Sequence, residues 1–188
     1  DDWYRFAVAS VDSGELRATG GIRIITDGDL SLLASADLIV VPGWRGVDSP
    51  VPDALCNALR QASARGCQLL SICSGVFVLA ASGLLNGRKA TTHWRYIETL
   101  KARYPDIDVV EDVLYQDEGE ILTSAGSAAG IDLCLHVVRR DFGMETANSV
   151  ARRLVIPPHR DGSQPQQLSR PVAQLRESQQ IGRASCRE

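Results

Sequence analysis

Along this chain, short unbroken apolar runs alternate with stretches in which apolar residues recur every three or four positions. The run Asp37-Leu38-Ile39-Val40-Val41, closed by Pro42-Gly43, has the pattern of a strand buried on both faces. From Pro52 to Ala64, Ala54, Leu55, Ala58, Leu59 and Ala62 share one face of a predicted helix that Gly66 stops. Cys67 to Ile72 is the next strand, and it runs directly into Cys73 and a helix from Ser74 to Ala81. Arg88 to Thr92 reads as a short strand ending at His93, and Trp94 to Arg103 as a helix terminated by Pro105. Ile107–Val110, Val113–Tyr115 and Ile121–Ser124 are strand-like, and two helices follow, Ala128 to Arg140 and Met144 to Leu154. Earlier, Arg5–Ala9 and Gly21–Ile25 read as strands.

Strand–helix alternation of this kind predicts an α/β fold with a mostly parallel central sheet between two helical layers. Function in such folds lies beyond the carboxyl ends of the strands. Cys73, His93 and the loop Pro42-Gly43-Trp44-Arg45-Gly46 all fall there. Past Ile156 the composition turns to Pro, Gly and Gln, so residues 1–160 read as one domain and residues 161–188 as linker followed by a non-native-looking tail. The first residues lack Met and enter a strand pattern at once, so the sequence reads as a fragment cut at both ends.

Composition narrows the function classes. With 188 residues, 44% hydrophobic content and a net charge of −3, the chain can bury a core but carries no basic nucleic-acid footprint of its own. No apolar run is long enough for a bilayer. Five cysteines without framework spacing imply reduced thiols in the cytoplasm, and no Cys/His cluster of zinc type occurs, so neither metal nor cofactor is expected.

The chemistry on offer centres on Cys73. A thiol on a sharp strand-to-helix turn is mounted as a nucleophile, and Ser74 and Gly75 leave room for the backbone. The alternative is a small cysteine packing as a hydrophobe. His93 has two readings of equal weight, a proton acceptor for the thiol or a cap on the helix at Trp94. Gly43, Gly46 and Gly75 can bring backbone N–H groups to a bound anion or carbonyl oxygen. Asp48 and Asp132 are the nearest acids, with no spacing that ties either to Cys73. His136 and His159 read as structural.

Four segments in order resemble one family: Val41-Pro42-Gly43-Trp44, Ser71-Ile72-Cys73-Ser74-Gly75-Val76-Phe77, Ala90-Thr91-Thr92-His93-Trp94, and Leu122-Thr123-Ser124-Ala125-Gly126 with Gly130-Ile131-Asp132. They are similar to the class I glutamine-amidotransferase-like (PfpI-type) domain of AraC-family transcriptional regulators of the GlxA/FtrA kind. The resemblance runs from about Trp3 to Val172. It implies a flavodoxin-like three-layer sandwich that serves as a sensor and homodimerisation module, with DNA bound only by a helix-turn-helix domain not in this sequence.

By the same resemblance Cys73 takes the elbow and His93 faces it. Pro42, Gly43, Trp44, Cys73, Ser74, Gly75 and His93 then line a pocket for an unidentified small molecule. Three departures bear on catalysis. Glutamine amidotransferases carry Gly where this chain has Ser71 and add a later His-x-Glu pair, and PfpI-type hydrolases have His where this chain has Ser74. The expectation is therefore a non-catalytic sensor. The alternatives are a cysteine-dependent hydrolase or hydratase acting on an amide, isonitrile or carbonyl adduct, or a redox sensor at Cys73.

Overall fold

Leu69 and Leu70 are adjacent in sequence and lie in different cores, each almost wholly buried. They belong to the strand on which the fold is organised. The computed structural model describes residues 3–12, 14–18 and 20–166. In chain order the strands are β1 (Leu16–Arg17), β2 (Arg23–Ile24), β3 (Leu38–Val41), β4 (Gln68–Ile72), β5 (Lys89–Ala90), β6 (Asp108–Val109), β7 (Tyr115–Asp117) and β8 (Ile121–Ser124). The helices are α1 (Asp53–Ala64), α2 (Val76–Ala81), α3 (Ile97–Arg103) and α4 (Ala128–Leu154).

The main sheet has the order β3-β4-β8-β7, with β3, β4 and β8 parallel and β7 antiparallel at the edge. Because successive side chains in a strand face opposite ways, β4 and its neighbour β8 feed two cores. Leu69 and its register partner Ile121 pack with Leu59, Ala62, Phe77 and Leu79 from α1 and α2. Leu70 and its partner Leu122 pack with Ala129, Leu133 and Val137 of α4. A strand covered on both faces shows no alternation of polar and apolar sides, hence the adjacent leucines of β4 and the Ile121-Leu122 pair of β8. The result is the α/β three-layer sandwich with a mostly parallel sheet expected from the sequence.

Helix boundaries follow local chemistry. Pro52 precedes α1, where its fixed φ and missing N–H cost nothing, and Asp53 supplies a carboxylate in the first turn. Gly143, at φ 83°, breaks α4 into two helical pieces, close to the two helices read from the sequence. Among the described residues, no helix is long and apolar enough to cross a membrane.

One expectation fails. Arg5–Ala9 forms no strand: Ala9 makes a single parallel bridge to Gly28, and Phe6 is 87% exposed. Its backbone bonds go to the turn at Asp27 and Gly28 instead, through Val8 and Ser10. A strand needs a partner edge alongside, which alternation alone does not supply. Residues 157–166, whose composition is that of a linker, are tied down along β7, α4 and the loop after β5. The remainder of that stretch, 167–188, lies outside the described residues.

Candidate functional site

Because β3, β4 and β8 are parallel, the loops that leave them converge at one end of the sheet. Cys73 follows β4 directly and sits at φ 54°, in the left-handed region that side chains other than Gly avoid. Two neighbours are shaped around this turn. A Cβ at Gly75 would lie 2.2 Å from the carbonyl oxygen of Val41, and a Cβ at Gly126 would lie 2.4 Å from Cβ of Cys73. The loop after β3 and the loop after β8 therefore close on the elbow from both sides. Gly126, noted in the sequence only as the end of the segment Leu122-Thr123-Ser124-Ala125-Gly126, is part of the site's construction.

Ser74 anchors the Pro42-Gly43-Trp44 loop. Its Oγ accepts from the Trp44 N–H at 2.9 Å, and its hydroxyl donates to the Trp44 carbonyl at 3.3 Å. The indole of Trp44 donates to the Ser49 carbonyl at 3.0 Å, which fixes the ring, and the Arg45 guanidinium lies 5.3 Å from its centroid. A residue larger than Gly at position 43 would approach Ser74 Oγ at 3.6 Å, ordinary contact. On the other side, the Thr92 hydroxyl donates to the Cys73 carbonyl at 2.8 Å. Beneath lies a layer of buried hydroxyls. Thr123 Oγ1 accepts from the Thr91 N–H, while Ser71 Oγ and Thr91 Oγ1 are buried without a protein partner.

The two readings of His93 separate here. Its Nδ1 accepts from the Arg95 N–H at 3.3 Å, so the side chain caps the turn Trp94–Tyr96. A neutral imidazole accepting through Nδ1 carries its proton on Nε2, which makes the free nitrogen a donor. Burial, and then the charge of Arg95, hold the ring's pKa below the usual histidine value. His93 is thus arranged as a cap whose Nε2 is left to donate. Among the described residues, no side-chain hydrogen bond involves the Cys73 thiol.

The remaining candidates lie elsewhere. Asp132 is 7% exposed and forms a two-pronged pair with Arg160, so it serves packing. Asp48 pairs with Arg103 on the surface. His136 bonds Asp117 at 2.6 Å, and His159 bonds Arg139. Burial pushes the thiols of Cys56 and Cys67 up, toward the unreactive protonated form. No three His, Cys, Asp or Glu side chains among the described residues form a metal-binding group. A cavity of about 170 Å³ lies far from the elbow, at the opposite ends of β3 and β4, lined by Ser35, Asp37, Arg65 and Gly66.

The elbow thus stands at the end of a parallel strand and is closed in at Gly75 and Gly126. Residues 3–140 match the model of the DJ-1/PfpI family. The chain belongs to the DJ-1/PfpI family. It is 37% identical over 156 residues to the HTH-type transcriptional regulator CdhR of Pseudomonas aeruginosa, a match covering 82% of this chain and 46% of that protein. It is 36% identical over 125 residues to an isonitrile hydratase of Pseudomonas putida, covering 65% of this chain and 53% of that one. The chain thus spans about half the length of these curated relatives. In fold it is similar to the crystal structure of an AraC-family transcriptional regulator from Pseudomonas putida, with a TM-score of 0.71 at 24% identity, over 81% of this chain and 82% of that one. The resemblance to a PfpI-type domain of transcriptional regulators holds.

Proposed function

We propose that this chain is the ligand-sensing and dimerisation domain of an AraC-family transcriptional regulator acting in the cytoplasm, with DNA contacted by a helix-turn-helix domain outside this sequence. The observation that carries this reading is the similarity to the regulator CdhR across four-fifths of the chain and under half of that protein. The elbow chemistry supports it. The histidine at the rim spends its Nδ1 on a cap, so a neutral His93 offers a donor where a nucleophile would need a base. The free Nε2 donor of His93 and the partly exposed Cys73 suit recognition of a small polar metabolite, seated among Pro42, Gly43, Trp44, Cys73, Ser74, Gly75 and His93.

For sensing, the metabolite must bind two arrangements of the dimer unequally. Gel-shift titration of the full-length regulator, with and without small nitrogenous metabolites, tests this. DNA affinity should change with one of them and lose that response in Cys73→Ser or Ser74→Ala. Indifference to every metabolite and to both substitutions would overturn the reading. Light scattering of the chain alone should give twice the monomer mass.

A second reading is favoured by the similarity to isonitrile hydratase. Cys73 would add to the substrate carbon while the thiol proton passes to the substrate, giving a thioimidate from an isonitrile or, with loss of ammonia or an amine, a thioester from an amide, and water would then release the product and restore the thiol. Turnover of an isonitrile or amide that vanishes in Cys73→Ser would establish it.

A further inference from the structure

Residues 157–166 contain no helix or strand, yet they are sewn to the domain. The Arg160 guanidinium pairs with Asp132, and the Arg160 carbonyl accepts from the Tyr115 hydroxyl at 3.2 Å. The Gly162 carbonyl accepts from the N–H groups of Leu114, at 2.7 Å, and Tyr115, at 3.3 Å. A Cβ at Gly162 would meet the Tyr115 carbonyl oxygen at 2.7 Å, so this close approach requires glycine. The stitching ends at Gln166, whose own N–H donates to Asp112 Oδ1 at 2.9 Å.

The Gln166 side chain is held more completely than its half-exposed position requires. Oε1 accepts from the Trp94 N–H at 2.8 Å, and Nε2 donates to the carbonyls of Thr92, at 2.9 Å, and Val113, at 3.0 Å. One backbone donor and two backbone acceptors match a primary carboxamide. A carboxylate would face two carbonyl oxygens, and an ammonium would face an N–H. Thr92 is the junction, because its carbonyl holds Gln166 while its hydroxyl holds the carbonyl of Cys73.

We propose that Trp94 N–H, Thr92 C=O and Val113 C=O form a primary-carboxamide site that Gln166 fills in cis, making residues 160–166 a strap whose seating is coupled through Thr92 to the Cys73 elbow. A molecule that shifts the Cys73 carbonyl moves Thr92, weakens the Gln166 cradle and frees the strap. The strap deepens the sensing reading, since it carries the state of the elbow to whatever follows Gln166. Free molecules bearing a primary carboxamide are the ligand class that would compete for the cradle.

Hydrogen exchange read by mass spectrometry on the 188-residue chain tests this without DNA, so its failure and that of the gel-shift experiment are separable. In Gln166→Glu and in Gln166→Ala, exchange at Trp94 and across 162–166 should rise roughly five- to tenfold, the loss of about one hydrogen bond. Protection of β4 and β8 should be unchanged in both, which reports an intact fold. Alkylation of Cys73 with iodoacetamide, in a Cys134→Ser, Cys186→Ser background, should loosen the strap to a similar degree. Thr92→Val should abolish that response to alkylation and Thr92→Ser should restore it. Unchanged exchange at Trp94 in both Gln166 variants would overturn the carboxamide site. A strap that stays protected when Cys73 is alkylated, or one that responds equally in Thr92→Val, would overturn the coupling.

Discussion

Cβ of Cys73 stands where any side chain at position 126 would have to go: a Cβ on Gly126 would lie 2.4 Å from it. Both residues are in the left-handed region, at φ 54° and 89°. The crossing arises because β4 and β8 are parallel neighbours whose exits turn toward each other. The elbow is therefore a property of two loops and not of the Cys73 turn alone.

Gly126→Ala should unfold the domain more easily than any other glycine exchange in the second half of the chain. Backbone strain and a clash with Cβ and Cα of Cys73 together should cost about 3 kcal/mol or more. Gly143→Ala is the control, with φ 83° but open space around its Cβ position, and strain alone should cost about 1 kcal/mol. Urea denaturation of the two variants compares them directly.

Cys73→Gly should stabilise the protein while removing the thiol. A non-glycine residue in the left-handed region carries about 1–3 kcal/mol of strain, and glycine adds roughly 0.5–1 kcal/mol of backbone entropy cost. The balance favours glycine by about 1 kcal/mol, visible as a higher melting temperature. A melting temperature below the parent's would show that the turn is relaxed with cysteine in place.

Asp132→Asn should destabilise by about 2 kcal/mol, because it leaves the Arg160 guanidinium without its counter-charge. The figure is below that for a fully buried pair because the Arg160 side chain is 33% exposed. Asp132→Leu with Arg160→Met should recover most of the loss. A double-mutant cycle measured by chemical denaturation would give the coupling.

The depressed pKa of His93 sets a pH dependence. Its folded-state value lies below the unfolded one of about 6.5, so the unfolded chain binds the proton more readily. The stabilisation is thus fully present above the unfolded value and is lost as pH falls through it toward the folded value. His93→Asn keeps a side-chain oxygen to cap the Arg95 N–H but cannot titrate. Melting temperatures at pH 7.5 should match the parent, and the fall toward pH 5.5 should be shallower in the variant.

The sheet and the elbow were legible from neighbours in sequence. Apolar residues at successive positions mark β3 (Leu38–Val41), β4 (Leu69-Leu70) and β8 (Ile121-Leu122), and the abrupt change to helical spacing at Cys73 marks the turn. Gly75 could be anticipated as a small residue beside the turn, and the Val41 carbonyl at 2.2 Å from its Cβ position gives the reason. Arg5–Ala9 carries an apolar pattern and no strand, because pairing depends on a partner edge the local sequence does not encode.

For His93, the chain alone permits a base or a cap, and only the position of the Arg95 N–H against Nδ1 decides between them. The Pro, Gly and Gln composition past Ile156 is that of a linker, yet Gln166 reaches Thr92 across 74 positions of sequence. Periodicity is a relation among near neighbours, so by itself the sequence determined the order of strands and helices from β3 onward and the place of Cys73 at the end of β4. Hydrogen bonds and steric closures join residues that folding alone brings together. The tertiary structure therefore decided the role of Gly126 against Cys73, the capping state of His93 and the seating of Gln166.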